Sequence, residues 1–101
     1  MIKGDHIPWV KLILGLYILK ILNRESAYGN QIAEQIKHRS NKVITPNTNA
    51  LYPLLRRMEE LGYVIGDWDN PDKRSKRIYH ITDNGKDYIP VLEKKLGKDL
   101  F

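Results

Sequence analysis

Residues 45–62 read TPNTNALYPLLRRMEELG, and the spacing within them decides how the rest of the chain can fold. Leu51, Leu54, Leu55, Met58 and Leu61 recur at helical intervals and fall on one face. Thr45 can cap such a helix. Pro46 suits its first position, where a missing N–H costs nothing, and Gly62 suits the position just past its end. These signals predict a helix from Pro46 to Leu61, with a local irregularity in its first turns where Pro53 removes a donor. Thr48, Asn49, Tyr52 and Arg56 would then share a face about 100° wide, apart from the leucine stripe. Amide, hydroxyl and guanidinium groups near a helix N-terminus are those that read base edges and phosphates in a major groove. Asn49 is suited to adenine and Arg56 to guanine or a phosphate, with Thr45 and Asn47 beside them. A solvated face is also the ordinary companion of a leucine stripe, so this helix alone leaves both readings open.

The flanking segments favour one of them. Ala27 to Lys37 reads as a shorter helix, with Ser26 as its cap, Ile32, Ala33 and Ile36 inward, and Asn30, Gln31, Gln35 and Lys37 more exposed. A polar connector, His38 to Lys42, joins the two helices, which is the order a helix-turn-helix requires. Downstream, Tyr63 to Asp69 and Arg77 to Thr82 read as two strands of a hairpin. The turn between them contains Asn70-Pro71-Asp72, and Lys73, Arg74, Lys76 and Arg77 place four cations among five residues. Like charges crowded on a tip repel one another, yet against a phosphate backbone they release counterions and add affinity. Beside a helix pair, that reading is preferred to a merely solvated turn.

The ends of the chain read as scaffold. Trp9 to Leu22 is apolar nearly all round and must be covered on most sides, by its own domain or by a second subunit. Lys11 and Lys20 interrupt it, and it falls short of the roughly 20 residues a membrane-spanning helix needs. Without a small-residue cleavage site behind it, it reads as a buried helix of a cytoplasmic protein with no membrane partner. From Asp83 onward the pattern is helical, with Thr82 or Asp83 as cap and Tyr88, Leu92 and Leu96 in a stripe flanked by Ile89. Such a helix, reaching past a small core, is expected to serve assembly.

The chain of 101 residues has room for one modest core. Its net charge of +5 and pI near 9.5 favour an anionic partner. Cysteine is absent, which excludes disulfides, thiolate metal sites and cysteine nucleophiles. His6, His38 and His80 show no ligand spacing, and Asp67, Asp69 and Asp72 lack the ladder and closing glutamate of a calcium loop. No phosphate-cradling glycine motif or nucleophile elbow is present, so neither a cofactor nor an enzyme is expected.

From Leu16 to Gly85 the chain resembles the PadR-like transcriptional regulators, winged-helix proteins named for control of phenolic-acid decarboxylase. The likeness is carried by Tyr28-Gly29, by Asn49-Ala50-Leu51-Tyr52-Pro53-Leu54-Leu55 and by Met58-Glu59-Glu60-Leu61-Gly62-Tyr63-Val64. The basic hairpin tip and Arg77-Ile78-Tyr79-His80-Ile81-Thr82-Asp83-Asn84-Gly85 complete it. Asn49 stands where the family often has glycine, and Asn30 where a second aromatic often follows Tyr-Gly.

The resemblance implies an α+β, mainly α, winged helix-turn-helix. Three helices and a hairpin wing would occupy residues 1–82, and a C-terminal dimerisation helix in the same compact unit residues 83–101. It implies that Tyr28 joins Thr48, Asn49, Tyr52 and Arg56 in contacting double-stranded DNA, with Lys73, Arg74, Lys76 and Arg77 as wing contacts. It further implies a homodimer, whose interface would take Trp9, Leu12, Ile13 and Leu16 from the first helix and Tyr88, Ile89, Leu92 and Leu96 from the last. Some relatives bind flat aromatic ligands at that interface. Trp9 is the better placed tryptophan for such a small aromatic or hydrophobic effector, with core packing as its other reading. Trp68 is expected to cover the inner face of the hairpin. The expected function is sequence-specific repression from a two-half-site operator. The alternatives are a replication-terminator-like or architectural DNA binder, and a winged-helix interaction module that no longer binds DNA.

Overall fold

The computed structural model describes residues 9–70, 72 and 76–97, with side chains from Lys11 onward. Its elements are α1 (Trp9–Arg24), β1 (Ala27–Tyr28), α2 (Gly29–Arg39), α3 (Thr48–Glu60), β2 (Val64–Trp68), β3 (Arg77–Ile81) and α4 (Asp83–Leu96). The strands form one antiparallel sheet in the order β1-β3-β2. The mainly helical winged helix-turn-helix expected from the sequence is the fold observed.

α1 is the central post. Because it is apolar all round, it can be covered on all sides, and α2, α3, β3 and α4 all pack against it. Leu16, Ile18 and Leu19 lose all solvent contact, and Leu14, Tyr17, Ile21 and Leu22 are buried with them. Each fully buried aliphatic side chain of this kind stabilises the fold by about 1.5–3 kcal/mol. Around the post, Ile32 and Ile36 of α2, Leu51, Leu55 and Met58 of α3, Val64, Tyr79 and Leu92 complete the core. Ala33 and Leu54 pack on it half-buried, while Leu61 lies just past α3 and is exposed.

Two helix starts differ from the sequence reading, the first because a long-range strand pairing claims the expected cap and the second because a residue further along caps instead. Ala27 and Tyr28 do not open α2 but pair with Tyr79 and Ile78 of β3. The Ser26 hydroxyl is hydrogen-bonded to His80 Nδ1 at 2.6 Å instead of capping. α2 therefore begins at Gly29, and the Tyr28 N–H donates to Gln31 Oε1 at 2.9 Å. In α3 the cap is Asn47, whose Oδ1 accepts from the Ala50 N–H at 2.9 Å, so Thr45 and Pro46 remain in the connector. That connector is drawn tight by Ser40, whose hydroxyl accepts from the Ile44 N–H at 3.0 Å and lies 3.1 Å from the Ile44 carbonyl. Asn41 and Lys42 turn the chain there in the left-handed region, at φ 55° and 66°. α3 runs unbroken through Pro53, with the Asn49 carbonyl deprived of its usual i+4 donor.

α3 ends as its glycine requires. Gly62 adopts φ +85°, its N–H donates to the Glu59 carbonyl at 3.0 Å, and the Tyr63 N–H donates to the Met58 carbonyl at 2.9 Å. The returning strand is fastened at the same place. Thr82 N–H donates to the Tyr63 carbonyl at 3.1 Å. Its hydroxyl donates to the Gly62 carbonyl at 2.6 Å and accepts from the Gly85 N–H at 3.0 Å, capping α4. α3, β2, β3 and α4 thus meet at one junction, over which the Tyr63 and Tyr88 rings stack at 4.4 Å.

α4 lies along its own chain's α1, with Lys20 Nζ 2.9 Å from Glu93 Oε2. This corrects two of the residues expected at a subunit interface. Leu16 is 0% exposed and Leu92 2% exposed within the single chain, so both are core residues with no surface left for a partner. An all-apolar helix does not announce which face is inward, which is why the sequence alone misplaced Leu16. Leu12, Ile13, Tyr88, Ile89 and Leu96 are half-buried at the edge of the core, Val91 is exposed, and the Trp9 side chain lies outside the described residues.

Candidate nucleic-acid interface

One side of the molecule gathers most of the polar residues singled out in the sequence. The first turns of α3 present Thr48, Asn49 and Tyr52 to solvent, and Arg56 follows one turn later with 83% of its side chain exposed. Arg56 Nε is 3.9 Å from Glu60 Oε2, an exposed i,i+4 pair of little energetic weight that leaves the guanidinium free to exchange partners. Asn47 and Thr45 are exposed ahead of them. Asn47 commits its carbonyl oxygen to the cap, which leaves its amide donors for other contacts.

The start of α2 comes up beside α3. Tyr52 lays its ring across Gly29, so closely that a β-carbon there would sit 2.5 Å from Tyr52 Cε1; this is the physical content of the Tyr-Gly pair. Tyr28, Gly29, Asn30, Tyr52, Trp68, Lys76, Arg77 and Tyr79 line a cleft between the helix pair and the wing. Lys76 Nζ stands 5.4 Å from the Tyr28 ring centroid on the far side of that cleft. Lys73 and Arg74 lie outside the described residues.

Two expected residues behave differently. Arg77 does not stand free at the wing: its Nη2 donates to Glu59 Oε2 at 3.0 Å and to the Gly66 carbonyl. Trp68, expected to cover the hairpin, is 40% exposed at the strand end, with the Arg77 guanidinium 5.5 Å from its ring. Burial pushes the pKa of the Tyr79 hydroxyl up; the neighbouring Arg77 cation opposes that rise, while Glu59 and Tyr52 add to it. Tyr79 therefore enters this face as a neutral hydroxyl.

Sequence reasoning missed Glu59, because its partners Gly66 and Arg77 are 7 and 18 residues away and no local pattern joins them. It also missed the row across the outer sheet face in which His80 reaches Ser26 on one side and Asp67, at 3.4 Å, on the other. Among the described residues no group of three or more histidine, cysteine, aspartate or glutamate side chains is placed to hold a metal ion, and no helix is long and apolar enough to cross a membrane.

A paired α2–α3 unit, an antiparallel hairpin beside it and a polar, cation-bearing face along both define a winged helix-turn-helix protein of the DNA-binding, transcription-regulating class. Residues 18–90 match the Transcriptional regulator PadR-like family, and the chain belongs to that family. It is similar to a solved PadR family transcription regulator from Clostridium difficile, at 26% identity and a TM-score of 0.68, covering 81% of this chain and 84% of that one. A transcriptional regulator from Clostridium thermocellum superposes with a TM-score of 0.72 over 91% of this chain and 97% of its own. At 22% identity that likeness is one of fold. A Lysinibacillus sphaericus protein, itself uncharacterised, is 28% identical over 79 residues, which are 77% of this chain and 72% of that one.

Proposed function

We propose that the chain is a cytoplasmic homodimeric repressor that binds an operator of two half-sites. Each subunit inserts the first turns of α3 into the major groove, where Thr48, Asn49, Tyr52 and Arg56 meet base edges and phosphates. Thr45, Asn47 and Tyr28 flank the groove, and Lys73, Arg74 and Lys76 of the wing grip the adjoining backbone. The observation that carries this reading is the shared exposure of Thr48, Asn49, Tyr52 and Arg56 on α3 with Lys76 beside them across the cleft.

In this reading residues 83–101 serve assembly, as the sequence led us to expect. The partner packs on the edge formed by Leu12, Ile13, Tyr88, Ile89 and Leu96, with the exposed Val91 beside them, and Trp9 is assigned to the same seam from the sequence. A two-fold dimer sets its recognition helices about 34–36 Å apart, or a multiple of that, to meet successive major grooves. A small aromatic or hydrophobic effector held near Trp9 at that seam would change the spacing and release the operator.

The test is binding to a fragment carrying the gene's own upstream region, across a salt series, for wild type and for Lys73/Arg74/Lys76→Ala. Sequence-preferring affinity that falls with salt, with a slope that drops by about 0.9 for each phosphate contact removed, supports the proposal. Binding that is weak, equal on any DNA and indifferent to the wing substitutions overturns it in favour of an interaction module.

A further inference from the structure

Arg77 is one of four cations at the wing in the sequence, but its surroundings give it another task. We infer that Arg77 is a positioning residue that locks the wing to the recognition helix through Glu59, and that it is not a phosphate contact. This rests on the DNA-binding reading of the wing.

The lock has three parts. Glu59 Oε2, near the end of α3, accepts from Arg77 Nη2 at 3.0 Å and from the Gly66 N–H at 3.2 Å, so one carboxylate holds both strands of the wing. Arg77 Nη2 also donates to the Gly66 carbonyl, which ties β3 to β2 by a side chain as well as by the ladder. The guanidinium lies 5.5 Å from the Trp68 ring centroid and 5.9 Å from that of Tyr79, within cation–π range of both. Gly66 makes the arrangement feasible: a β-carbon there would sit 2.7 Å from Arg77 Nη2.

Exposure and charge agree with that task. The Arg77 side chain is 34% exposed and that of Glu59 30%, against 83% for Arg56 on the open face. A cation already neutralised at 3.0 Å releases few counterions when a phosphate approaches. Arg77 instead fixes where β2 and β3 stand relative to α3, and with them the start of Lys76.

The two roles predict opposite signs at Glu59. If Arg77 grips phosphate, replacing Glu59 by an apolar residue frees the cation and removes a repelling carboxylate, so affinity rises. If Arg77 positions the wing, the same change lets the wing drift and affinity falls.

The experiment compares wild type, Arg77→Met, Glu59→Met, Glu59→Gln and Lys76→Ala on the upstream fragment across a salt series. Alongside it, amide hydrogen exchange at Gly66 is followed without DNA. We expect Arg77→Met and Glu59→Met each to weaken binding several-fold at an unchanged salt slope and to speed Gly66 exchange. Glu59→Gln, which keeps an acceptor, should lie between them and wild type. Lys76→Ala should reduce the slope by about 0.9 and leave Gly66 exchange as it was. Tighter binding by Glu59→Met, or a slope reduced by about one in Arg77→Met, overturns the assignment. Should wild type show no salt-dependent binding, the DNA reading fails. The lock is then judged by Gly66 exchange alone, and unchanged exchange in both methionine variants refutes it.

Discussion

Leu92→Ala separates a helix that belongs to its own core from one that waits for a partner. Leu92 is 2% exposed in the single chain and belongs to its core, and α4 packs against α1. Truncation deletes three carbon atoms, worth about 2–2.5 kcal/mol at roughly 0.8 kcal/mol per buried methylene. The cavity left between two helices adds to this, for a total of about 3 kcal/mol, inside the roughly 2–5 kcal/mol range of buried leucine truncations. With a urea m-value of about 1.5 kcal/mol/M, the unfolding midpoint falls by about 2 M. Val91→Ala, one residue earlier at 47% exposure, is the matched control and should cost about 0.5 kcal/mol or less in monomeric protein. The assay is urea unfolding followed by circular dichroism at several protein concentrations. A loss below about 1 kcal/mol for Leu92→Ala would refute the assignment of Leu92 to the intrachain core. So would a loss that appears only at concentrations where the wild type is dimeric, because Leu92 would then be spending its burial on the partner.

Two further outcomes follow from the helix start and the buried tyrosines. Asn47→Ala should cost about 1 kcal/mol, because Asn47 Oδ1 satisfies the Ala50 N–H, whereas Thr45→Ala should be nearly neutral. Thermal unfolding distinguishes that order from its reverse, which would restore Thr45 as the cap. Burial raises the pKa of Tyr79 and, together with Tyr63, that of Tyr88, so the folded chain holds these protons more tightly than the unfolded one. Their contribution is fully present below the unfolded tyrosine value near 10 and is lost as pH rises through the higher folded values. Urea midpoints measured from pH 8 to about pH 11.5 should therefore decline above pH 10, less steeply in Tyr79→Phe. A flat profile, or an identical decline in that variant, would contradict the assigned direction.

The fold was legible where its cause is local. The stripe of Leu51, Leu54, Leu55 and Met58, the glycine stop at Gly62 and the two β-branched runs around a charged turn each depend on residues within a few positions of one another. What escaped depends on contacts far apart in the chain. β1 has only two residues and exists because Tyr79 and Ile78, about fifty positions later, offer a free strand edge. That pairing takes Ala27 and Tyr28 out of the expected helix and occupies Ser26 with His80. The candidate interface divides the same way. Thr48, Asn49, Tyr52 and Arg56 could be grouped by helical period, and the structure leaves them exposed together. Charge counting placed Arg77 with Lys76, since sequence shows how many cations a turn holds but not that a glutamate on another element has claimed one.

The junction at the base of the wing has a consequence for how such chains can vary. Thr82 is bound to Gly62 and Tyr63 by side chain and backbone, and the Asp69 N–H donates to the Lys76 carbonyl at 2.9 Å higher up. The strands are therefore sutured before the tip begins, and the path from α3 to α4 is short in space whatever the length of residues 70–75. Insertions or deletions at the tip can change how far the wing extends without re-aiming either helix. Substitutions at Thr82 or Gly62 cannot. The length of the tip is thus free to vary, while the angle between α3 and α4 is held as a unit.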